Sequence, residues 1–174
     1  MTDPTVQSAE PRSDPPPQGD ELAILGGFLD FLREAIVIKV TGVDDDDLRH
    51  PMTPSGVSLL GIVKHLAYVE RWWFARTFSG LDVAFPFTDD DPHADWRIEP
   101  DDRTEVILDL YRTEIERARA VVGSSRPDDL SAKQGRHGGP YSLRWIMTHM
   151  IEETGRHAGH ADILREQLDG VTGE

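Results

Sequence analysis

Apolar residues recur at steps of three and four positions along several segments of this chain. The first such segment follows Asp20, a residue type that caps helix N-termini, and ends at Gly42. Its apolar positions are Leu22, Leu25, Leu29, Leu32, Ile36 and Val40. Because an α-helix turns once every 3.6 residues, this spacing places the six side chains on one face and predicts an amphipathic helix.

The same periodicity predicts three further helices downstream. They run from Ser55 or Ser58 to about Phe78, from Asp102 to Val122, and from Ser142 to about Leu168, with a stop at Gly170. No alternating strand pattern is longer than a few residues, and no segment repeats. Long amphipathic helices joined by loops predict an all-α fold, a bundle of four helices.

Polar segments separate the predicted helices. The acidic run Asp44 to Asp47 lacks the Gly and the spaced Glu of an EF-hand loop, so it predicts a solvated turn rather than a calcium site. Residues 80–100 are rich in Asp, Pro and Phe without a usable period, and we expect a long loop of functional importance. Its Trp96 is expected to pack as a plug, and the Gly-rich residues 123–142 form the last connection.

Composition divides the chain into a tail and one domain. Residues 1–19 are rich in Pro, Ser, Asp and Gln and have neither the basic nor the apolar region of a signal peptide, which predicts a disordered N-terminal tail. Residues 20–174 are enough for a single domain with a core. Apolar runs fall short of the roughly 18 residues that span a bilayer. We therefore expect a soluble, cytoplasmic protein.

Charge and cysteine content narrow the possible chemistry. The net charge of -14 argues against binding to nucleic acid or to an anionic membrane, since both need clustered Lys and Arg. The chain contains no cysteine. Disulfides, thiolate metal sites and cysteine nucleophiles are thereby excluded, which leaves His and carboxylates as the strong metal ligands.

One stripe of the last predicted helix carries four groups that can bind a metal: His149, Glu153, His157 and His160. At 100° per residue they fall within roughly 80° of one another. The stripe borders the predicted core, where unpaired charge is costly and a divalent cation would offset that cost. Glu153 and His157 have the i, i+4 spacing that lets two side chains meet one ion.

The second predicted helix offers a third ligand. His65 lies between Ile62 and Leu66 on the side predicted to be buried. One His from this helix plus a Glu and a His from the last one would leave a coordination position open, as in catalytic zinc sites. The alternative is a buried network in which these His and Glu side chains only hydrogen-bond to one another. The remaining histidines, His50, His93 and His137, lie in predicted loops and are interpreted as surface residues.

Two segments, SGVSLLGIVKHLAYVERWWFARTFSG and RWIMTHMIEETGRHAGHADILREQLDG, resemble the DinB/YfiT-like superfamily in its actinobacterial branch. This superfamily includes metal-dependent thiol transferases and the mycothiol-dependent maleylpyruvate isomerase. The resemblance covers about residues 20–170. It implies a four-helix bundle with up-down-down-up connections.

The resemblance also implies a ligand set. Members bind a divalent metal through a His of the second helix and a pair spaced by four on the last helix, which correspond here to His65, Glu153 and His157. His149 and His160 are then expected to hold the ligands in place or to replace one of them, and His149 can also contact substrate. Zinc is the expected metal, with nickel as the alternative.

The function implied by the resemblance is small-molecule thiol chemistry. A low-molecular-weight thiol such as mycothiol would be held on the metal as a thiolate and would attack an electrophile, either transferring the thiol or assisting an isomerisation. Arg144 and Arg156 can meet a carboxylate of the thiol or the substrate, or can pair with surface charges.

Two other functions stay open from the sequence. One is a non-catalytic metal-binding or stress-associated bundle protein, and the other is a metal-dependent hydrolase with Glu152 or His160 as base. A fourth protein ligand at the metal would favour the non-catalytic interpretation. The expected partners are a small-molecule thiol and an electrophile. The tryptophan pair Trp72 and Trp73 and exposed apolar positions of the first helix are compatible with a homodimer.

Overall fold

The computed structural model describes residues 12–135 and 138–172, and this part of the chain is mostly helical. The helices are, in chain order, α1 (Glu21–Val40), α2 (Asp45–Arg49), α3 (Leu59–Glu70), α4 (Thr104–Gly123) and α5 (Leu143–Asp169). A π-helical segment, Arg71–Phe78, directly follows α3. The long helices occur where the apolar periodicity predicts them, so the mostly helical character expected from the sequence is confirmed.

Predicted caps set the ends of these helices. The side-chain oxygens of Asp20, Ser58 and Ser142 each accept a hydrogen bond from the backbone N–H three residues later, at 2.9, 3.0 and 3.2 Å respectively. Such bonds satisfy backbone donors that have no partner within the first helical turn. Gly170 ends α5 in the left-handed conformation at a φ of 78°, which glycine adopts without steric cost.

Two regions differ from the sequence prediction. The acidic run expected to form a solvated turn instead opens α2, where Asp45, Asp46 and Asp47 occupy the first turn and Leu48 is buried. Acidic side chains stabilise a helix N-terminus through its dipole, which explains the helix. The predicted connection before α5 contains β1 (Leu130–Gln134) and β2 (Pro140–Ser142), paired antiparallel with an irregular register. Strands this short carry no readable alternation.

The helices pack around a shared interior. α1 contacts mainly α5, and α3 contacts mainly α4, with further contacts between α3 and α5. The largest fully buried side chains come from all four long helices and the π-helical segment: Tyr111, Phe74, Leu29, Ile36, Leu59, Leu60, Ile62, Leu66, Leu143, Ile146, Met147 and Met150. Burial of this apolar surface is the main favourable contribution to folding.

Residues 12–19 of the predicted tail lie against α1. The Arg12 guanidinium carbon is 4.2 Å from the centre of the Phe31 ring. A Cβ at Gly27 would come within 2.4 Å of Pro16, so the close approach requires glycine. Residues 1–11 of the tail and His137 lie outside the described residues. Within the described part, no helix has both the length and the apolarity needed to cross a membrane.

A buried ion pair joins α1 to α3. Nε and Nη2 of Arg33 donate to the two carboxylate oxygens of Glu70 at 2.8 and 2.7 Å, and the side chains are 5% and 1% exposed. Burial alone would lower the pKa of Arg33, but Glu70 and Asp30 outweigh that effect and raise it. The two-point geometry fixes how the helices are rotated against each other.

Glu70→Ala should lower the free energy of unfolding by about 3–5 kcal/mol, because it leaves the buried Arg33 charge with only the partly exposed Asp30 as its partner. The measurement is urea denaturation followed by circular dichroism. Asp109→Ala is the control, since Asp109 and its partner Arg112 are 72% and 61% exposed and the pair should contribute under about 1 kcal/mol. An equal loss in both variants would contradict a structural role for the buried pair.

Candidate metal centre

Three predicted ligands from two helices meet at one point. α3 carries His65 on its side facing α5, and α5 carries Glu153 and His157 one turn apart. Their ligating atoms all lie within 4.8 Å of one another. The structure therefore brings together the triad expected from the sequence, and the role of these residues as metal ligands stays a prediction.

Two of the three separations between donor atoms of the triad match those around a small divalent ion. The Nε2 atoms of His65 and His157 each lie 3.3 Å from the same oxygen, Oε1 of Glu153. Zinc–nitrogen and zinc–oxygen bonds of about 2.0–2.1 Å in a tetrahedron separate neighbouring ligand atoms by roughly 3.3–3.4 Å. The side chains are 12%, 6% and 15% exposed for His65, His157 and Glu153, so the centre is largely shielded from water.

Asp95 contacts the far side of the His65 ring. Nδ1 of His65 donates to Oδ2 of Asp95 at 2.7 Å, and the aspartate side chain is only 8% exposed. A neutral imidazole has one N–H and can donate to one of the two carboxylates that flank this ring, Asp95 or Glu153. The second contact requires another positive charge, supplied either by a proton or by a metal ion. The donor set thus fits a divalent cation.

The pKa values of His65 and Glu153 are shifted by the same hydrogen bonds. Burial alone would lower the pKa of His65, but hydrogen bonds to Asp95 and Glu153 outweigh burial and raise it. Hydrogen bonds from His157 and from His65 hold the pKa of Glu153 far below its usual range. These hydrogen bonds therefore favour the ionised form of the Glu153 carboxylate.

The loop between the π-helical segment and α4 covers the centre. The Trp96 ring stacks on His65 with centroids 3.9 Å apart, as expected for a plug, and meets the edge of His157 at 5.1 Å. Nζ of Lys64 holds the loop by donating to the carbonyl of Arg97 at 2.7 Å. A Cβ at Gly61 would lie 2.6 Å from the Trp96 carbonyl oxygen, so this close approach requires glycine.

His160 and Arg156 contact the predicted ligands from outside. Nδ1 of His160 lies 3.3 Å from Nδ1 of His157, a position from which it can hold that ring in place. Nη1 of Arg156 donates to Oε2 of Glu153 at 3.3 Å, and its Nη2 pairs with Glu152. Arg156 is half exposed and stands at the edge of the centre.

His149 and Arg144 have other partners. The His149 ring packs against Trp73 and stacks on Trp145 with centroids 4.8 and 5.2 Å apart. Its Nδ1 faces Glu152 at 3.7 Å rather than Glu153. Arg144 forms ion pairs with Glu21 and Asp128. It lies nine residues before Glu153 on α5, which places it about half a turn around the helix from that residue. The described contacts thus bring neither residue to the centre.

Clefts occur elsewhere on the surface, mostly between α1 and α4. They measure about 310, 550 and 580 Å³ and are lined by residues such as Leu108, Met147 and Ile115 rather than by the triad. Their linings lack a convergent set of metal-ligating groups, whereas the ligating atoms of His65, Glu153 and His157 converge on one point. The grouping of metal-ligating side chains is therefore a better indication of the candidate site than the size of a cleft.

The fold and the site define a helical protein with a candidate metal centre built from two helices and a covering loop. The model of the mycothiol S-transferase family matches residues 24–170, which include every residue of the centre. The chain belongs to the mycothiol S-transferase family. This family is DinB/YfiT-like, so the resemblance inferred from the sequence is confirmed. No curated protein matches the chain. Family membership indicates a thiol-related enzymatic function.

Gly61→Ala should displace the covering loop, because the added methyl group overlaps the Trp96 carbonyl. We expect a loss of about 1–3 kcal/mol in the free energy of unfolding, the usual cost of overpacking. Gly26→Ala is the matched control: a Cβ there meets nothing within 4 Å, and alanine should stabilise α1 by about 0.5–1 kcal/mol. Thermal denaturation distinguishes the two, and a neutral Gly61→Ala would contradict the close packing of the loop.

Proposed function

We propose that this protein transfers a mycothiol-like thiol to a small electrophile at a divalent metal held by His65, Glu153 and His157. One observation carries the proposal: two imidazole nitrogens and one carboxylate oxygen converge while a second carboxylate, Asp95, adds negative charge. Membership of the mycothiol S-transferase family is the reason for proposing a mycothiol-like thiol as the substrate. Zinc is the metal we propose first, with nickel as the alternative, since the same donors suit both.

A divalent ion bound there would lower the pKa of a thiol, so that the thiol is a thiolate at neutral pH. Three protein ligands would leave room for that sulfur. The chain has no cysteine of its own, which agrees with a nucleophile supplied by a small molecule.

The surrounding side chains have distinct proposed roles. Trp96 covers the His65 ring and keeps water from that face. Arg156 is exposed beside Glu153 and is positioned to meet a carboxylate on the thiol or the electrophile. His160 steadies His157 from the outer side. Arg144 is engaged in surface ion pairs, so we assign it no part in binding.

The arrangement of the chain is part of the proposal. We infer that the four long helices form a bundle with up-down-down-up connections, in a single domain from residue 20 onward. A homodimer and a cytoplasmic location are likewise predictions that rest on the sequence.

Purified without added metal or chelator, the protein should contain about one equivalent of a divalent metal, measured by elemental analysis. His65→Ala and His157→Ala should each abolish tight binding without loss of helicity. His93→Ala, an exposed residue of the loop, is the control and should bind as the wild type does. Full occupancy in both ligand variants would refute the triad. A wild-type protein that takes up no metal would identify the cluster as a buried polar network.

Transfer can be tested with mycothiol and 1-chloro-2,4-dinitrobenzene. The thiolate sulfur bonds to the ring carbon, chloride leaves with the electron pair of the broken bond, and the thiol proton passes to solvent. Metal-loaded protein should accelerate formation of the thioether, whereas chelator-treated protein and His157→Ala should not exceed the uncatalysed rate. Acceleration that survives complete metal removal would contradict the metal-dependent reaction. Metal binding without acceleration of any thiol reaction would favour a non-catalytic role.

A further inference from the structure

We propose that Asp95 is a positioning residue. Its carboxylate holds the His65 ring so that the Nε2 lone pair of that ring faces the centre. The inference rests on the proposed function, because it takes the centre to be a metal site. The two helices α3 and α5 carry the ligands. With Asp95, the covering loop, which is distant from both helices in sequence, also contributes a residue to the centre.

The contact is short, buried and imposed by the fold. Nδ1 of His65 and Oδ2 of Asp95 are 2.7 Å apart, with the two side chains 12% and 8% exposed. The part of the loop that follows Asp95 is held by side-chain contacts: Trp96 stacks on His65, and Lys64 binds both the Arg97 carbonyl and the Asp102 carboxylate. Asp95 therefore reaches His65 from a fixed position rather than from a free loop.

The contact with Asp95 determines which nitrogen of the His65 ring carries the hydrogen. An ionised carboxylate can only accept, so Nδ1 of His65 carries the hydrogen in the bond to Asp95. In the neutral ring, Nε2 is then the nitrogen with the free lone pair, and Nε2 is the atom that faces Glu153. A carboxylate bonded to the outer nitrogen also makes the inner one a stronger ligand.

The other histidine of the triad is held differently. Nδ1 of His157 lies 3.3 Å from Nδ1 of His160, an imidazole nitrogen that donates or accepts according to its tautomer. This contact does not fix which nitrogen of His157 carries a proton. Changes at Asp95 should alter His65 directly, whereas His157 shares Oε1 of Glu153 with His65 and responds to it, so the exposed His50 serves as the internal reference.

The first measurement is zinc affinity by competition with a chromophoric chelator. Asp95→Asn keeps the shape of the side chain but removes its charge, and it should weaken binding about 10- to 100-fold. Asp90→Asn is the matched control: it makes the same change at an exposed position of the same loop and should bind zinc as the wild type does. Equal affinity in Asp95→Asn and the wild type would overturn the proposal.

The second measurement detects the orientation itself and requires no metal. With ¹⁵N-labelled histidine at alkaline pH, where the rings are neutral, the His65 signals should show a hydrogen on Nδ1 in the wild type. Asp95→Ala should shift them toward the tautomer with hydrogen on Nε2 and leave the signals of the exposed His50 unchanged. Unchanged His65 signals would overturn the proposal. If the wild type binds no zinc, the proposed function fails, while the tautomer shift still decides whether Asp95 positions His65.

Discussion

The His65 ring lies between two carboxylates, and this placement constrains the rest of the centre. Asp95 accepts a hydrogen bond from Nδ1 of His65, while Nε2 of the same ring faces Oε1 of Glu153. That oxygen also faces Nε2 of His157. A neutral ring can donate to only one of the two acids. If His65 donates to Asp95, its Nε2 lone pair faces the Glu153 carboxylate at 3.3 Å, an unfavourable contact even though His157 and Arg156 also contact Glu153. A proton on Nε2 removes this conflict, and so does one divalent ion.

The scaffold holds this placement through contacts outside the centre. The capped N-terminus of α3 and the absence of a side chain at Gly61 let the covering loop approach the helix backbone. Buried charge pairs fix neighbouring parts of the same scaffold: Glu70 with Arg33 on α1, and Glu114 on α4 with Arg71 in the π-helical segment. Because such pairs have strict geometry, they limit how far the helices can slide or rotate. The spacing of the donor atoms therefore depends on packing well away from them.

Periodicity predicted the long helices and much of the centre, since Glu153 and His157 share one helix and His65 lies on the buried side of another. It could not identify Asp95, because the loop contains several acids and no repeating pattern marks the one that turns inward. His149 shares the stripe with Glu153, yet it faces Trp73 and Trp145 instead, and those contacts depend on tertiary packing. The same limit applies to the short hairpin and to the π-helical segment, whose backbone departs from the 3.6-residue period.

The contact between His65 and Glu153 supports the proposed metal over a purely hydrogen-bonded network. Without a metal, neutral rings can donate to Asp95 from His65 and to Glu153 from His157, but a favourable contact between Nε2 of His65 and Glu153 then requires an extra proton, although an ordinary histidine is mostly neutral near pH 7. A divalent ion provides comparable charge without that protonation, at the point where the three donor atoms converge. Arg156 pairs with the other oxygen of Glu153 and leaves Oε1 to the two histidines. In a chain without cysteine, the proposed metal centre would bind the sulfur of a small molecule, which is what the proposed transfer of a small-molecule thiol requires.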